Sequence, residues 1–324
     1  MSRSGLKACA RGLTAAVLAL WLAGPAAAQG WTPQRNVELI VPNAPGGALD
    51  ANARLIQSLW QLPVSSTVVN RAGGEHAIAY TLISQRSGEP HLLGLASPVL
   101  LSNHASGRST VTYTDVTPLA TLATEYYLFV VRADSPLKTG RDMIEALKKN
   151  PAALAISVGT IATRMAVGVA LQAGGVDIKP VKLAVIEGGK QAITALGGHV
   201  DVALGPPVQF MPSIEAGKLR AIAVSGSRRL GGALASVPTW AELGYQNAHA
   251  ETWRAVIAPK GLTAAQIAYW EDILRKVAEH EDFRKAVERN QSEPIFRGAA
   301  ETRRQMETEY ERAKSVLAYL GLTK

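Results

Sequence analysis

The chain has 324 residues, a single cysteine and a formal net charge of +8 at neutral pH. Its basic residues are scattered, with adjacent pairs at Lys148-Lys149, Arg228-Arg229 and Arg303-Arg304, which argues against a nucleic-acid partner, since that needs clustered Lys and Arg with interleaved aromatics. One cysteine excludes a disulfide framework, while a mild positive field favours small anionic ligands.

The first 28 residues have the form of a secretory signal peptide. Arg3, Lys7 and Arg11 make a basic n-region, Leu13 to Ala23 is apolar apart from Thr14, and Gly24-Pro25-Ala26-Ala27-Ala28 offers an A-x-A cleavage site. The apolar run is too short for a spanning helix, and no later stretch is long and apolar enough to cross a membrane. Cys9 lies upstream of the run, away from the junction. Cleavage after Ala28 predicts a periplasmic chain, Gln29 to Lys324, with no thiol nucleophile. The segment carries three basic residues and no acidic ones, so the mature chain keeps a net charge of +5. Its length fits two domains at roughly 100–200 residues each.

Val37 to Trp60 opens the mature fold. Val37, Leu39, Ile40 and Val41 form a β-rich run, Pro42-Asn43-Ala44-Pro45-Gly46-Gly47 breaks it, and Leu55, Ile56, Leu59 and Trp60 then recur on one helix face. This is a βα unit whose turn lies where helix N–H groups and the positive end of the helix dipole are exposed. A short strand at Ser66 to Val69 leads to the Asn70-Arg71-Ala72-Gly73-Gly74 turn and a helix to about Arg86, with Ile78, Leu82 and Ile83 expected inward. A third strand, Leu92 to Ala96, ends at Ser97-Pro98. Strands separated by helices imply a parallel sheet, and such sheets bind ligands beyond the carboxyl ends of their strands.

Thr121 to Val131 reads as a longer β-rich run leading away from this sheet, and Pro136 to Lys149 as an amphipathic helix. The βα rhythm then restarts. Strands are predicted at Ala155 to Val158, Val181 to Val185 and Val200 to Leu204. Each is followed by a small-residue turn: Gly159 to Thr163, Glu187-Gly188-Gly189 and Gly205-Pro206-Pro207. Two more strands, Leu219 to Ser225 and Trp253 to Ala258, precede helices over Thr263 onward, Asp282 to Asn290 and Glu301 to Leu320. Two α/β domains with chain crossings near residues 124 and 250 describe two lobes around a cleft, the usual place for a small-molecule site.

No Gly-x-Ser-x-Gly, phosphate-binding Gly-x-x-x-x-Gly-Lys-Ser/Thr or Gly-x-Gly-x-x-Gly is present, so no nucleophile elbow and no nucleotide cofactor is expected. The histidines at 76, 91, 104, 199, 249 and 280 lack ligand spacing, so no metal is expected either. The carboxylate pairs Glu271-Asp272 and Glu281-Asp282 fall on charged helix faces. The loops are rich in Gly, Ser, Thr and Asn, which bind rather than react.

Val41-Pro42-Asn43-Ala44-Pro45-Gly46-Gly47-Ala48-Leu49-Asp50 resembles the VPFAPGGxxD loop of the periplasmic solute receptors of tripartite tricarboxylate transporters, also called Bug receptors. Asn70 to Gly74, Ser157-Val158-Gly159-Thr160, Ala192 to Asp201, Ile214 to Val224, Val237 to Gly244 and Trp253 to Pro259 resemble further segments of that family, in order, over about Val37 to Leu320. The resemblance implies an α/β, two-lobed periplasmic-binding-protein fold of the second type with a ligand cleft between lobes. Residues 29–124 plus 250–324 are expected in lobe 1 and 125–249 in lobe 2. It implies capture of a small carboxylated solute without catalysis, delivery to membrane subunits of the transporter, and a monomer. Carried over by position, Pro45, Gly46, Gly47, Ala48 and Asp50 line one side of the cleft, with Asn70, Ala72, Gly73 and Gly74 beside them. Ser157, Thr160 and Thr163 face them, and Ser97 sits at the same edge. Three departures fall at the cleft: Glu75-His76 in place of small residues, Arg164 in place of a common histidine, and Pro206-Pro207 in place of Asp-Asn. His76, Arg164 and Pro206 are therefore expected to touch the ligand.

Arg164 falls in the first turn of a helix, where the dipole disfavours a cation by about 0.3–1 kcal/mol. Its side chain either swings to solvent or pairs with Glu187, or it forks onto a second ligand carboxylate. Two other function classes fit the same pattern. One is a ligand-loaded receptor that reports to a membrane sensor; the other is a secreted enzyme on the same fold, which the missing motifs argue against.

Overall fold

The computed structural model describes residues 30–186 and 190–322. The signal segment, its cleavage point at Ala28 and the Glu187-Gly188-Gly189 turn lie outside the described residues. The first βα units are β1 (Val37–Val41), α1 (Ala48–Leu59), β2 (Ser66–Asn70), α2 (Ala77–Ser84), β3 (Leu92–Ala96) and α3 (Val99–Ala105). Then come β4 (Val116–Tyr126), β5 (Leu128–Arg132) and α4 (Gly140–Lys149). The rhythm continues through β6 (Ala155–Val158), α5 (Ile161–Ala173), β7 (Lys182–Val185), α6 (Gln191–Leu196), β8 (Val202–Gly205), α7 (Met211–Glu215) and β9 (Leu219–Val224). The chain ends with β10 (Glu251–Pro259), α8 (Ala264–Glu279), α9 (Glu281–Arg289), β11 (Glu293–Arg297) and α10 (Ala299–Tyr319).

These strands make two sheets, one per lobe. The six-stranded sheet has the order β11-β4-β10-β3-β1-β2, and the five-stranded sheet β7-β6-β8-β5-β9. Neighbours β1, β2 and β3 are parallel, as are β6, β7 and β8, which is the arrangement that helical crossovers impose. The antiparallel additions come from strands that enter after a lobe crossing: β10 against β3 and β4, and β5 against β8 and β9.

Strand β5 shows why the second sheet is covered on both faces. Phe129 and Val131 join Met143, Ile144, Leu147 and Trp240 on one side, whereas Leu128 and Val130 join Phe210 and Val224 on the other. Successive residues point to opposite faces, so a continuous apolar run reads as two cores. The Phe129 and Trp240 rings meet edge to face at 4.8 Å. Helix α4 starts where Thr139 Oγ1 accepts from the Asp142 N–H and Asp142 Oδ2 accepts from the Thr139 N–H, a reciprocal cap. Helix α10 packs on β4 and α3 of one lobe and on α5 of the other, with Leu320 against Gly168.

Several expectations change. Thr121 to Val131 is two strands in different sheets, and the change of sheet falls at Tyr127, so the run leaves the first sheet only at its midpoint. Strand β11 arises within a stretch that shows no strand periodicity; Pro294 is tolerated because β11 is an edge strand. Ile83 is buried as expected, but Ile78 points outward, at 54% exposure, and Ala79 and Tyr80 complete the buried face in its place.

Candidate functional site

The carboxyl ends of β1, β3, β6 and β8 border a cavity of about 540 Å³ between the sheets. Of the residues expected there, Pro45, Gly46, Gly47, His76, Ser97, Thr160, Thr163 and Pro206 line it. Asp50, Asn70, Ala72, Gly73, Gly74, Ser157 and Arg164 do not, and Ala48 begins α1.

The β1–α1 loop owes its shape to Asp50 and Asn70, which act behind the wall. Asp50 Oδ2 accepts from the Gly46 N–H at 2.9 Å and from Arg54 Nε at 3.0 Å, and Oδ1 accepts from Asn70 Nδ2 at 2.9 Å. Asn70 Nδ2 also reaches the Asn43 carbonyl at 3.0 Å. The Arg54 bond above all, with Gly46 and Asn70, holds the Asp50 carboxyl down at about 2. Gly46 turns at φ +82°, a left-handed conformation that glycine adopts freely. No side chain caps the following helix at Gly47, so its first-turn N–H groups remain available at the cavity wall.

Across the cavity the geometry differs. Thr163 Oγ1 accepts from the N–H groups of Gly159 and Thr160, both at 2.9 Å, and donates to the Thr160 carbonyl at 2.8 Å. Thr160 Oγ1 accepts from the Thr163 N–H at 3.3 Å. These hydroxyls spend their bonds on the start of α5, which leaves that loop less open to an anion than the loop before α1. Ser157 is fully buried beneath, with its hydroxyl lacking a protein partner.

Ala72, Gly73 and Gly74 are exposed and lie off the cavity. Their turn serves the next residue. Gly73, Gly74, Glu75 and His76 all have positive φ, which is strained for the last two. Asn103 Nδ2 donates to the Glu75 carbonyl and Arg108 Nη1 to Glu75 Oε1, both at 2.7 Å, which fixes the turn and sets His76 in the cavity wall. Burial, with the charge of Arg254 second, lowers the His76 imidazole to about 4, so it is neutral at pH 7.

The charged residue of the cavity is Arg254 on β10, together with Thr252 and Tyr127. Its guanidinium is anchored on two sides: Nη2 meets Glu125 Oε2 at 2.5 Å and Nη1 meets Thr252 Oγ1 at 3.0 Å. Its Nε is buried with no partner among the described residues. Asn43 Oδ1, Gln191 Oε1 and Gln209 Oε1 share that condition, and all belong to residues that line the same cavity. Burial pushes the Tyr127 hydroxyl up to about 12, with Thr252 opposing the rise. Sequence reasoning passed over Arg254, Gln191 and Gln209. The available signal was a cation inside the otherwise apolar strand Trp253 to Ala258. Arg164 instead lies in the first turn of α5, half-buried, with no ion pair among the described residues.

A UPF0065 protein from the gbd 5′ region of Cupriavidus necator is 26% identical over 321 residues, covering 97% of this chain and 96% of that one. The periplasmic binding protein BugD superposes with a TM-score of 0.76 at 20% identity, over 90% of this chain and 99% of its own. An R. palustris protein solved with adipate gives a TM-score of 0.75 at 23% identity, over 89% and 98% of the two chains. The structural likenesses establish the fold as that of a two-lobed periplasmic binding protein. The family described as tripartite tricarboxylate transporter family receptor matches residues 53–322, and the chain belongs to that family.

Proposed function

We propose that this receptor captures a small carboxylated solute in the periplasm and delivers it to the membrane subunits of a tripartite tricarboxylate-type transporter. The observation that carries the reading is Arg254: a guanidinium only 13% exposed in the cavity wall, anchored by Glu125 and Thr252, whose buried Nε has no partner among the described residues. A carboxylate is the group that such a donor and the uncapped start of α1 serve best. The adipate bound by the R. palustris neighbour is of the same chemical class. Binding without catalysis, a monomeric state and export by cleavage after Ala28 belong to the same proposal. The division into residues 29–124 plus 250–324 and residues 125–249 belongs to it too, supported by the change of sheet at Tyr127.

A thermal-shift screen of mono-, di- and tricarboxylates tests it. At about 100 times Kd the cognate acid raises the unfolding free energy by about 2.7 kcal/mol. Its amide or ester binds at least about tenfold worse, because a charge-assisted bond is worth roughly 1.5–3 kcal/mol. Equal stabilisation by the neutral analogues would overturn the anion reading.

A further inference from the structure

The second wall of the cavity carries a polarity of its own. Gln191 is 4% exposed, and its Nε2 donates to the Ile186 carbonyl at 2.9 Å, which fixes the amide so that Oε1 is the free atom. Among the described residues that Oε1 has no partner, and neither has Gln209 Oε1. Both residues line the cavity. Both amides sit where a strand ends in glycine. A Cβ placed on Gly159, just after β6, would lie 2.4 Å from Gln191 Nε2, and one on Gly205, the last residue of β8, would lie 2.5 Å from Gln209 Oε1. The wall is thus built to hold two side-chain carbonyls in place.

An amide carbonyl only accepts hydrogen bonds, and burying an acceptor without a donor is costly. A carboxylate cannot supply that donor. Among the described residues the cavity lining contains no Asp or Glu to offset the charge of an ammonium group. A neutral hydroxyl meets both conditions. We propose that the solute is a hydroxycarboxylate, whose carboxylate faces Arg254 and the start of α1 and whose hydroxyl shares its one proton between the carbonyls of Gln191 and Gln209 in a three-centre bond. This inference rests on the carboxylate reading and narrows it.

Calorimetric titration with matched sets tests it: propionate, lactate and alanine; succinate, malate and aspartate; tricarballylate and citrate; and the neutral polyols glycerol and erythritol. The tightest ligand is expected to be a hydroxy acid that exceeds its unsubstituted partner by at least about tenfold, since an unmet acceptor is left behind by the latter. Gln209→Leu, which breaks no other side-chain bond of that residue among the described residues, should shrink that ratio to under about threefold with an unchanged melting curve. Gln191→Leu should do the same, with some loss of stability from the bond to Ile186. An unsubstituted or amino acid that binds as tightly as the hydroxy acid would overturn the inference. So would variants that weaken hydroxylated and unsubstituted acids equally. Binding of polyols but no acid would retain the hydroxyl and remove the carboxylate; binding of none of these would remove both.

Discussion

Two arginines near the cleft, Arg164 and Arg254, differ in what their surroundings allow them to do. Arg164 lies off the cavity, so Arg164→Gln should leave carboxylate affinity unchanged. Arg254→Gln should weaken it by roughly 1.5–3 kcal/mol, the worth of a bond to a charged group. It should also destabilise the fold, because Glu125 is left buried without its counter-charge. The double variant Arg254→Gln/Glu125→Gln should recover stability but not affinity, as read by calorimetry and urea melts together. Glu309 gives a different residue-scale test. It accepts from Trp253 Nε1 and from Gln305 Nε2, and burial raises its carboxyl from 4.5 to about 7. The folded chain therefore holds a proton that the unfolded chain has released between those values. Stability must fall as pH rises through that window and level off above it. A loss on the order of 1–3 kcal/mol is expected. Glu309→Gln should flatten the difference between urea midpoints at pH 5 and pH 8; an identical slope in the variant would assign the effect elsewhere.

At the scale of the element, the loop before α1 separates two glycines that look alike in sequence. Gly46 has φ +82° with open space around it, so a side chain is opposed by the backbone alone. Gly47 has φ −76° and ψ 168°, and a Cβ there meets the Ala44 carbonyl at an ordinary 3.4 Å. Gly46→Val should therefore cost on the order of 1–3 kcal/mol of stability and disturb the loop that Asp50 clamps. Gly47→Ala should fold normally, and any loss of affinity in it reports on the cavity wall. Equal melting temperatures for Gly46→Val and the parent chain would refute the assignment. On the opposite wall, Thr163→Val removes the acceptor of two N–H groups and should loosen the start of α5, by about 0.5–2 kcal/mol.

The whole molecule is held across its cleft by strands that change sheet and by α10, which touches both lobes. Tyr127 sits between β4 and β5, and so joins the two sheets while lining the cavity. Tyr127→Ala should lower stability by about 3–5 kcal/mol through lost packing, as other buried aromatics do, and should reduce affinity in the folded fraction. At the same scale, the signal segment predicts that the periplasmic protein begins at Gln29. Intact-mass measurement of the exported chain checks this, and a mature form that still begins at Met1 would refute it.

Periodicity and turn chemistry in the sequence were enough for the alternating βα units, because strand and helix patterns are local and each unit buries its own face. The β1–α1 loop and the second-lobe loops were legible for the same reason: Gly, Pro and hydroxyl residues mark turns at fixed offsets. Strand β11 was not legible, since an edge strand with a proline and few apolar residues carries no period of two. Asp50 and Asn70 were read as wall residues, whereas tertiary structure turned both side chains inward to bond Gly46 and Asn43. Arg254 belongs to one sheet and Gln191 and Gln209 to the loops and helices of the other, and only the tertiary fold brings them to one cavity. The sequence by itself determined the elements and the family; the pairing of unpartnered donors and acceptors, which sets what the cleft can hold, was decided by long-range packing.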